Sequence, residues 1–284
     1  MAWIELDRNS GPASDLPPGL YVGVPHGAYH ERRLGIVSKS ALDLVDRSPA
    51  HYRAWIDGAI DEETPALAFG SAFHCALLEP DLFAESYAVE PEWGDCRLKA
   101  NKAARDAWRA QRPGAIAVSA DDGDAISAMV ASVQAHPLAS RMLRAGAAEA
   151  TLVWIDEESG LKCKSRTDYY VPKLGMVADV KTTLDARPHK FQRSIVKHRY
   201  HVQDALYRSG FAAIGETVKH FVFIAVEKAP PYAVAIYSVD ADGIGRGYSA
   251  ARRNIDTLAE CLRLGAWPGY ATSIQTLDIP PWAA

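Results

Sequence analysis

Two short runs rich in β-branched and aromatic residues, 162–171 (KCKSRTDYYV) and 175–181 (GMVADVK), are separated only by Pro-Lys-Leu. Such runs suit a pleated, half-buried strand, and a junction this tight joins them as an antiparallel hairpin. Centring the hairpin between Lys173 and Leu174 sets Asp168 directly opposite Asp179. Opposed residues in an antiparallel pair have Cβ atoms roughly 4.5–5.5 Å apart. Lys181 follows Asp179 by two residues and therefore shares its face. Opposed like charges destabilise a sheet unless something neutralises them, which argues against a merely solvated surface hairpin. Two carboxylates and an amine on one face suit a hard cation such as Mg²⁺ with an ammonium beside it. A register slip of one residue would undo the arrangement.

The rest of the chain is read around that hairpin. Residues 1–30 are rich in Pro and Gly without helical periodicity and are expected to form an N-terminal arm. Helices are expected from Ser38, over 65–78 with Pro65 at the start, over 98–111, and over 120–145 with a break at Pro137. After Glu149 the pattern turns to strands: ATLVWIDEESG, the hairpin, then VKHFVFIAVEK and YAVAIYSV beyond a helix over 200–213. A long helix over about 242–264 closes the chain. Helices first, a meander, then a strand pair after a crossover helix predict an α/β fold with a mixed central β-sheet flanked by helices. The expected division is an arm over 1–30 and a single domain over 31–284. Within it, 31–146 is mainly helical, 147–240 is the sheet core, and 241–284 is the C-terminal helix and tail.

Four scattered cysteines, Cys75, Cys96, Cys163 and Cys261, contain no C-x-x-C pair, so neither a zinc ribbon nor an iron–sulfur cluster is expected. No apolar run reaches membrane-spanning length and no signal-peptide pattern opens the chain, which reads as cytoplasmic with no membrane partner. The formal charge of −4 does not advertise a nucleic-acid binder, but the basic residues are segregated. Residues 97–112 hold six Lys/Arg against one Asp, and 187–199 hold five Lys/Arg, two His and no acid. Either stretch alone is ordinarily a solvated face; the two together beside a metal-binding pattern point to a phosphate backbone.

Further residues stand out by spacing. His74 lies on the apolar 65–78 helix, four residues after Gly70, whose place in a helix interior hints at close approach by another group. A lone histidine on such a face is ordinarily a satisfied core residue. Gln203 and Tyr207 are four apart on the helix after the hairpin, with Tyr200 on the same face. The ordered set Gly70-x-x-x-His74, Glu149, Lys164-x-Arg166-x-Asp168, Asp179-Val180-Lys181 and Tyr200-His-x-Gln203-x-x-x-Tyr207 resembles the PD-(D/E)XK nuclease superfamily. Within it the likeness is to RecE-type phage and prophage exonucleases, and more distantly to the RecB nuclease domain. It runs from about Ile36 to Tyr232; Thr167 stands where the superfamily pattern expects proline.

The resemblance implies a restriction-endonuclease-like fold and a Mg²⁺-dependent exonuclease acting on linear double-stranded DNA, 5′ to 3′, in recombination or repair, with Mn²⁺ substituting. It implies Asp168, Asp179 and Lys181 as catalytic residues, and His74, Asp168, Asp179 and the Val180 carbonyl as metal ligands. Glu149 is implied as an additional acid. Gln203 and Tyr207 would hold DNA or support the site, and Arg193 and Lys197 would bind DNA. A homo-oligomeric ring around duplex DNA ends and a single-strand annealing protein are the implied partners. Two alternatives remain: a catalytically inactive DNA-binding recombination protein on the same fold, and a Mg²⁺-dependent endonuclease.

Overall fold

The computed structural model describes residues 3–7, 10–60 and 64–278. The chain opens with β1 (Ile4–Glu5), β2 (Gly19–Val22) and α1 (His26–His30). The helices α2 (Lys39–Arg47), α3 (Pro49–Ile56), α4 (Pro65–Leu78) and α5 (Pro80–Ser86) follow. Next come β3 (Tyr87–Val89), α6 (Lys99–Ala110), β4 (Ile116–Val118), α7 (Ala120–Ala135) and α8 (Pro137–Met142). The second half is β5 (Ala147–Ile155), β6 (Lys162–Val171), β7 (Met176–Thr183), α9 (Pro188–Lys197), α10 (Tyr200–Ala213), β8 (His220–Glu227), β9 (Val234–Tyr237) and α11 (Ala241–Leu264).

Local chemistry sets several of these boundaries. Ser38 caps α2 by accepting the Ala41 N–H, and Ser48 caps α3 with Pro49 in its first turn. Thr64 and Pro65 start α4 in the same way. The β6–β7 turn closes on Gly175 at φ +56, where a Cβ would stand 2.7 Å from the Thr217 carbonyl oxygen.

Seven strands form one mixed sheet in the order β1-β2-β5-β6-β7-β8-β9, while β3 and β4 form a separate parallel pair. The β5-β6-β7 meander is antiparallel, and β7 runs parallel to β8 through the α9–α10 crossover. Helices cover both faces. On one side α2, α10 and α11 pack with Val177, Phe221 and Phe223; on the other α4 and α7 pack with Ala178, Val180 and Ile224. The alternating residues of β7 thus feed two different cores.

The N-terminal segment is not an arm. Leu20 and Tyr21 are buried and pair with Leu152 and Thr151 of β5, so β2 extends the sheet. Three alternate cations of β6 dock the segment: Lys162 donates to the Ser14 and Leu16 carbonyls, Lys164 to those of Tyr29 and Glu31, and Arg166 to that of Val24. The expected helical region 31–146 also contains the β3–β4 pair. Residues 279–284 of the expected tail lie outside the described residues. No described helix is long and apolar enough to cross a membrane.

Candidate metal centre

The site forms where the sheet ladder is interrupted. Between β5 and β6 the recorded pairs run Ala148↔Tyr169 and then Ala150↔Thr167, passing over Glu149 and Asp168. Side-chain alternation slips at this step. Ala147 and Ala150, an odd number apart, face one core, as do Cys163 and Tyr170, so both strands lose one step of the pleat while the register on either side stays the same. Glu149 sits at φ +50, a conformation that non-glycine residues seldom adopt. Between β6 and β7 pairing ends at Tyr169↔Ala178, one step short of the Asp168–Asp179 pair drawn from the sequence. Asp168 instead turns into the gap and accepts the Val180 N–H at 2.6 Å. Glu149, Asp168 and Asp179 thus mark the same step on three adjacent strands.

Each helix layer adds side chains. From α4, His74 Nδ1 comes within 3.4 Å of an Asp168 carboxylate oxygen, with the Val180 main chain beside the imidazole. Donor atoms of His74, Glu149 and Asp168 all lie within 4.8 Å of one another. Gly70, one turn before His74, has open space where a Cβ would be, so it accommodates no packed neighbour. From the other layer, Gln203 of α10 donates to Asp179. Asp179 is fully buried, and its remaining oxygen lies 2.5 Å from Lys181 Nζ. The Lys181 ammonium stands 4.8 Å from the centre of the Tyr200 ring. Tyr207 is buried one turn along α10 from Gln203, the residue that holds Asp179.

Electrostatics show how crowded the acids are. Burial and then the neighbouring Asp168 charge push the Glu149 carboxyl up to about 8. Burial likewise raises Asp168, although Lys181 and the Val180 N–H oppose it. Asp179 is pushed up to about 6 by burial, with Lys181 pulling the other way. Burial and then Lys181 press His74 down to about 4, leaving a neutral imidazole. Burial works against the charge of Lys181, but Asp179 and Asp168 outweigh it and the ammonium is held above its usual range. Acids that resist ionising together, beside a neutral imidazole, are a donor set that a divalent cation would satisfy. Oxygen donors with one nitrogen suit Mg²⁺ or Mn²⁺.

The residues singled out in the sequence are not all brought together. His74, Glu149 and Asp168 form one cluster, while Asp179 faces Lys181 and Gln203 beside it. Arg193 and Lys197 are exposed on α9, outside the cluster. Of the other basic stretch, Arg97, Arg105 and Arg109 pair with Asp95, Asp106 and Glu90. Sequence reasoning missed Tyr29, whose ring lies 4.3 Å from the Arg166 guanidinium carbon. It also missed the buried roles of Lys164 and Arg166; their alternation with Asp168 was the available signal. All four cysteines are free.

A mixed sheet flanked by helices, carrying Asp-x₁₀-Asp-x-Lys with a histidine donor, defines a domain of the PD-(D/E)XK nuclease superfamily, whose members use divalent metals. The chain belongs to the family described as PDDEXK-like domain of unknown function (DUF3799), whose profile matches residues 38–280. Among solved structures, a candidate exonuclease from Eubacterium rectale superposes with a TM-score of 0.59 at 14% identity, over 90% of this chain and 95% of that one. That likeness shows a shared fold. No curated protein matches the sequence.

Proposed function

We propose that this protein is a metal-dependent exonuclease that hydrolyses linear double-stranded DNA, 5′ to 3′, in recombination or repair. The observation that carries the reading is the conjunction at one sheet interruption of three acids from adjacent strands, a neutral histidine, and a charged lysine paired with Asp179. The name of the Eubacterium rectale structure supports the same class.

His74, Glu149 and Asp168 would hold the ion, with Asp179 and the Val180 main chain alongside. A bound Mg²⁺ would supply Lewis-acid polarisation of the phosphate and acidify a ligated water. The protein's own part is positioning and charge. Lys181 remains an ammonium, so it orients the attacking water and stabilises negative charge growing on the phosphorane rather than taking up a proton. Gln203 fixes Asp179 and thereby the place of Lys181. The exposed cations of α9 provide sequence-independent attraction for the DNA backbone. The same reading carries a ring-shaped homo-oligomer that keeps the duplex threaded, working with a single-strand annealing protein.

The test is digestion with Mg²⁺ or Mn²⁺ of linear duplexes labelled at the 5′ or the 3′ end, beside closed circular duplex. Release of 5′ label first, with circles spared, is the expected result. Cutting of closed circles would make the protein an endonuclease, and DNA binding without degradation would make it a catalytically inactive DNA-binding protein.

A further inference from the structure

Glu149 needs an explanation that the acidic cluster alone does not give. It holds an unfavourable backbone conformation and directs a carboxylate toward another acid. The group beside it is Arg166, two residues before Asp168 on β6. Its guanidinium lies 3.7 Å from a Glu149 carboxylate oxygen.

Arg166 is itself almost fully buried and tightly fixed. Nε donates to Thr151 Oγ1 at 3.0 Å, and one terminal nitrogen donates to the Val24 carbonyl at 2.8 Å. The Tyr29 ring covers the guanidinium plane at 4.3 Å. Tyr29 is held in turn, because its carbonyl and that of Glu31 accept from the buried Lys164. A planar fork with five N–H groups can meet a hydroxyl, a carbonyl and a carboxylate together while stacking on a ring; an ammonium cannot.

We propose that Arg166, clamped by residues 24–31 of the N-terminal segment, is the positioning residue that aims Glu149 at the cation site beside His74 and Asp168. The N-terminal segment is therefore part of the active-site architecture. This inference rests on the metal-site reading of His74, Glu149 and Asp168. It concerns alignment, not charge, and Arg166→Lys and Tyr29→Leu separate the two. Both keep a positive charge beside Glu149, with its effects on the cation and on the carboxylate. Both disturb the stacked planar fork, so a site weakened in them has lost alignment.

The experiment is Mn²⁺ titration calorimetry on the full chain without DNA. It compares wild type, Arg166→Met, Arg166→Lys and Tyr29→Leu, each with and without Glu149→Gln, with circular dichroism checking that each is folded. Arg166→Met should weaken Mn²⁺ binding about tenfold. The lysine and Tyr29→Leu variants should weaken it several-fold, and each loss should shrink below about twofold in the Glu149→Gln background. If Arg166→Met does not fold, the Arg166→Lys and Tyr29→Leu comparisons decide. Equal or tighter binding in the folded variants, or the same loss with and without Glu149, would overturn the positioning role while leaving the metal site standing. Absence of Mn²⁺ binding by the wild type would overturn both.

Discussion

Divalent-metal affinity should fall about tenfold for each pH unit below about 8, and the reason is one residue. The Glu149 carboxyl is pushed up to about 8 by burial and by Asp168. At pH 7 roughly ten molecules in eleven therefore carry its proton. A ligating carboxylate must be ionised, so binding has to displace that proton at about 1.4 kcal/mol per unit. His74, held down to about 4, is already neutral and adds nothing to the slope. Asp179, at about 6, steepens the dependence at the acid end. Calorimetric titration with Mn²⁺ between about pH 6 and 8.5, in buffers of different ionisation enthalpy, would read affinity and proton release together. We expect about one proton released per ion near pH 7, and an affinity at pH 6.5 about thirtyfold below its plateau. Glu149→Gln should flatten the curve between about pH 6.5 and 8. A wild-type affinity independent of pH over that interval would refute Glu149 as a ligand.

Other consequences are as direct. Without metal, Glu149 and Asp179 hold protons more tightly folded than unfolded. Their contribution to stability is thus complete below their ordinary values of 4.5 and 3.8, and is lost as pH rises through about 6 and about 8. Urea midpoints in EDTA should decline from about pH 5.5 to 8, whereas a steady rise would contradict the burial argument. Two glycines of α11 should respond with opposite signs. Gly245→Ala meets open space and should stabilise by up to about 1 kcal/mol. Gly247→Ala places its Cβ 2.1 Å from the His201 carbonyl oxygen, forcing α11 off α10, and should destabilise by about 1–3 kcal/mol or more; urea midpoints moving in the same direction would show the helix contact to be misjudged. Reversing charge at Arg193 and Lys197 should weaken duplex binding and flatten its salt dependence with folding unchanged. Unaltered affinity in a filter-binding assay would remove α9 from the DNA path.

Much of this was visible in the sequence where the signal is local. The hairpin register follows from the turn and the strand period, and the bounds of α4 follow from the proline at each end of its apolar run. Lys181 shares a face with Asp179 because strand alternation holds along β7. What was missed depends on distant partners. The four residues of β2 carry too little pattern to declare a strand; β5 supplies the ladder that makes them one. Nothing in Ala-Glu-Ala-Thr announces the left-handed turn at Glu149, which breaks the ladder and moves Asp168 into the gap. Tyr29 lies 135 residues before Lys164, and only the folded sheet shows why both are buried. Basic composition over 97–112 could not reveal that several of its arginines are neutralised by neighbouring acids.

That the Asp179–Lys181 pair serves metal-dependent hydrolysis of DNA rather than merely stabilising the fold is the core of the proposed function. It is tested most directly by single-turnover digestion of a linear duplex with Mg²⁺, comparing wild type with Asp179→Asn and Lys181→Ala, each checked for folding by circular dichroism. We expect rapid degradation by the wild type, none with EDTA, and a rate lower by about a thousandfold in each variant, equivalent to about 4 kcal/mol of transition-state stabilisation. A folded variant retaining more than about a tenth of the wild-type rate, a loss of only about 1.4 kcal/mol, would contradict it.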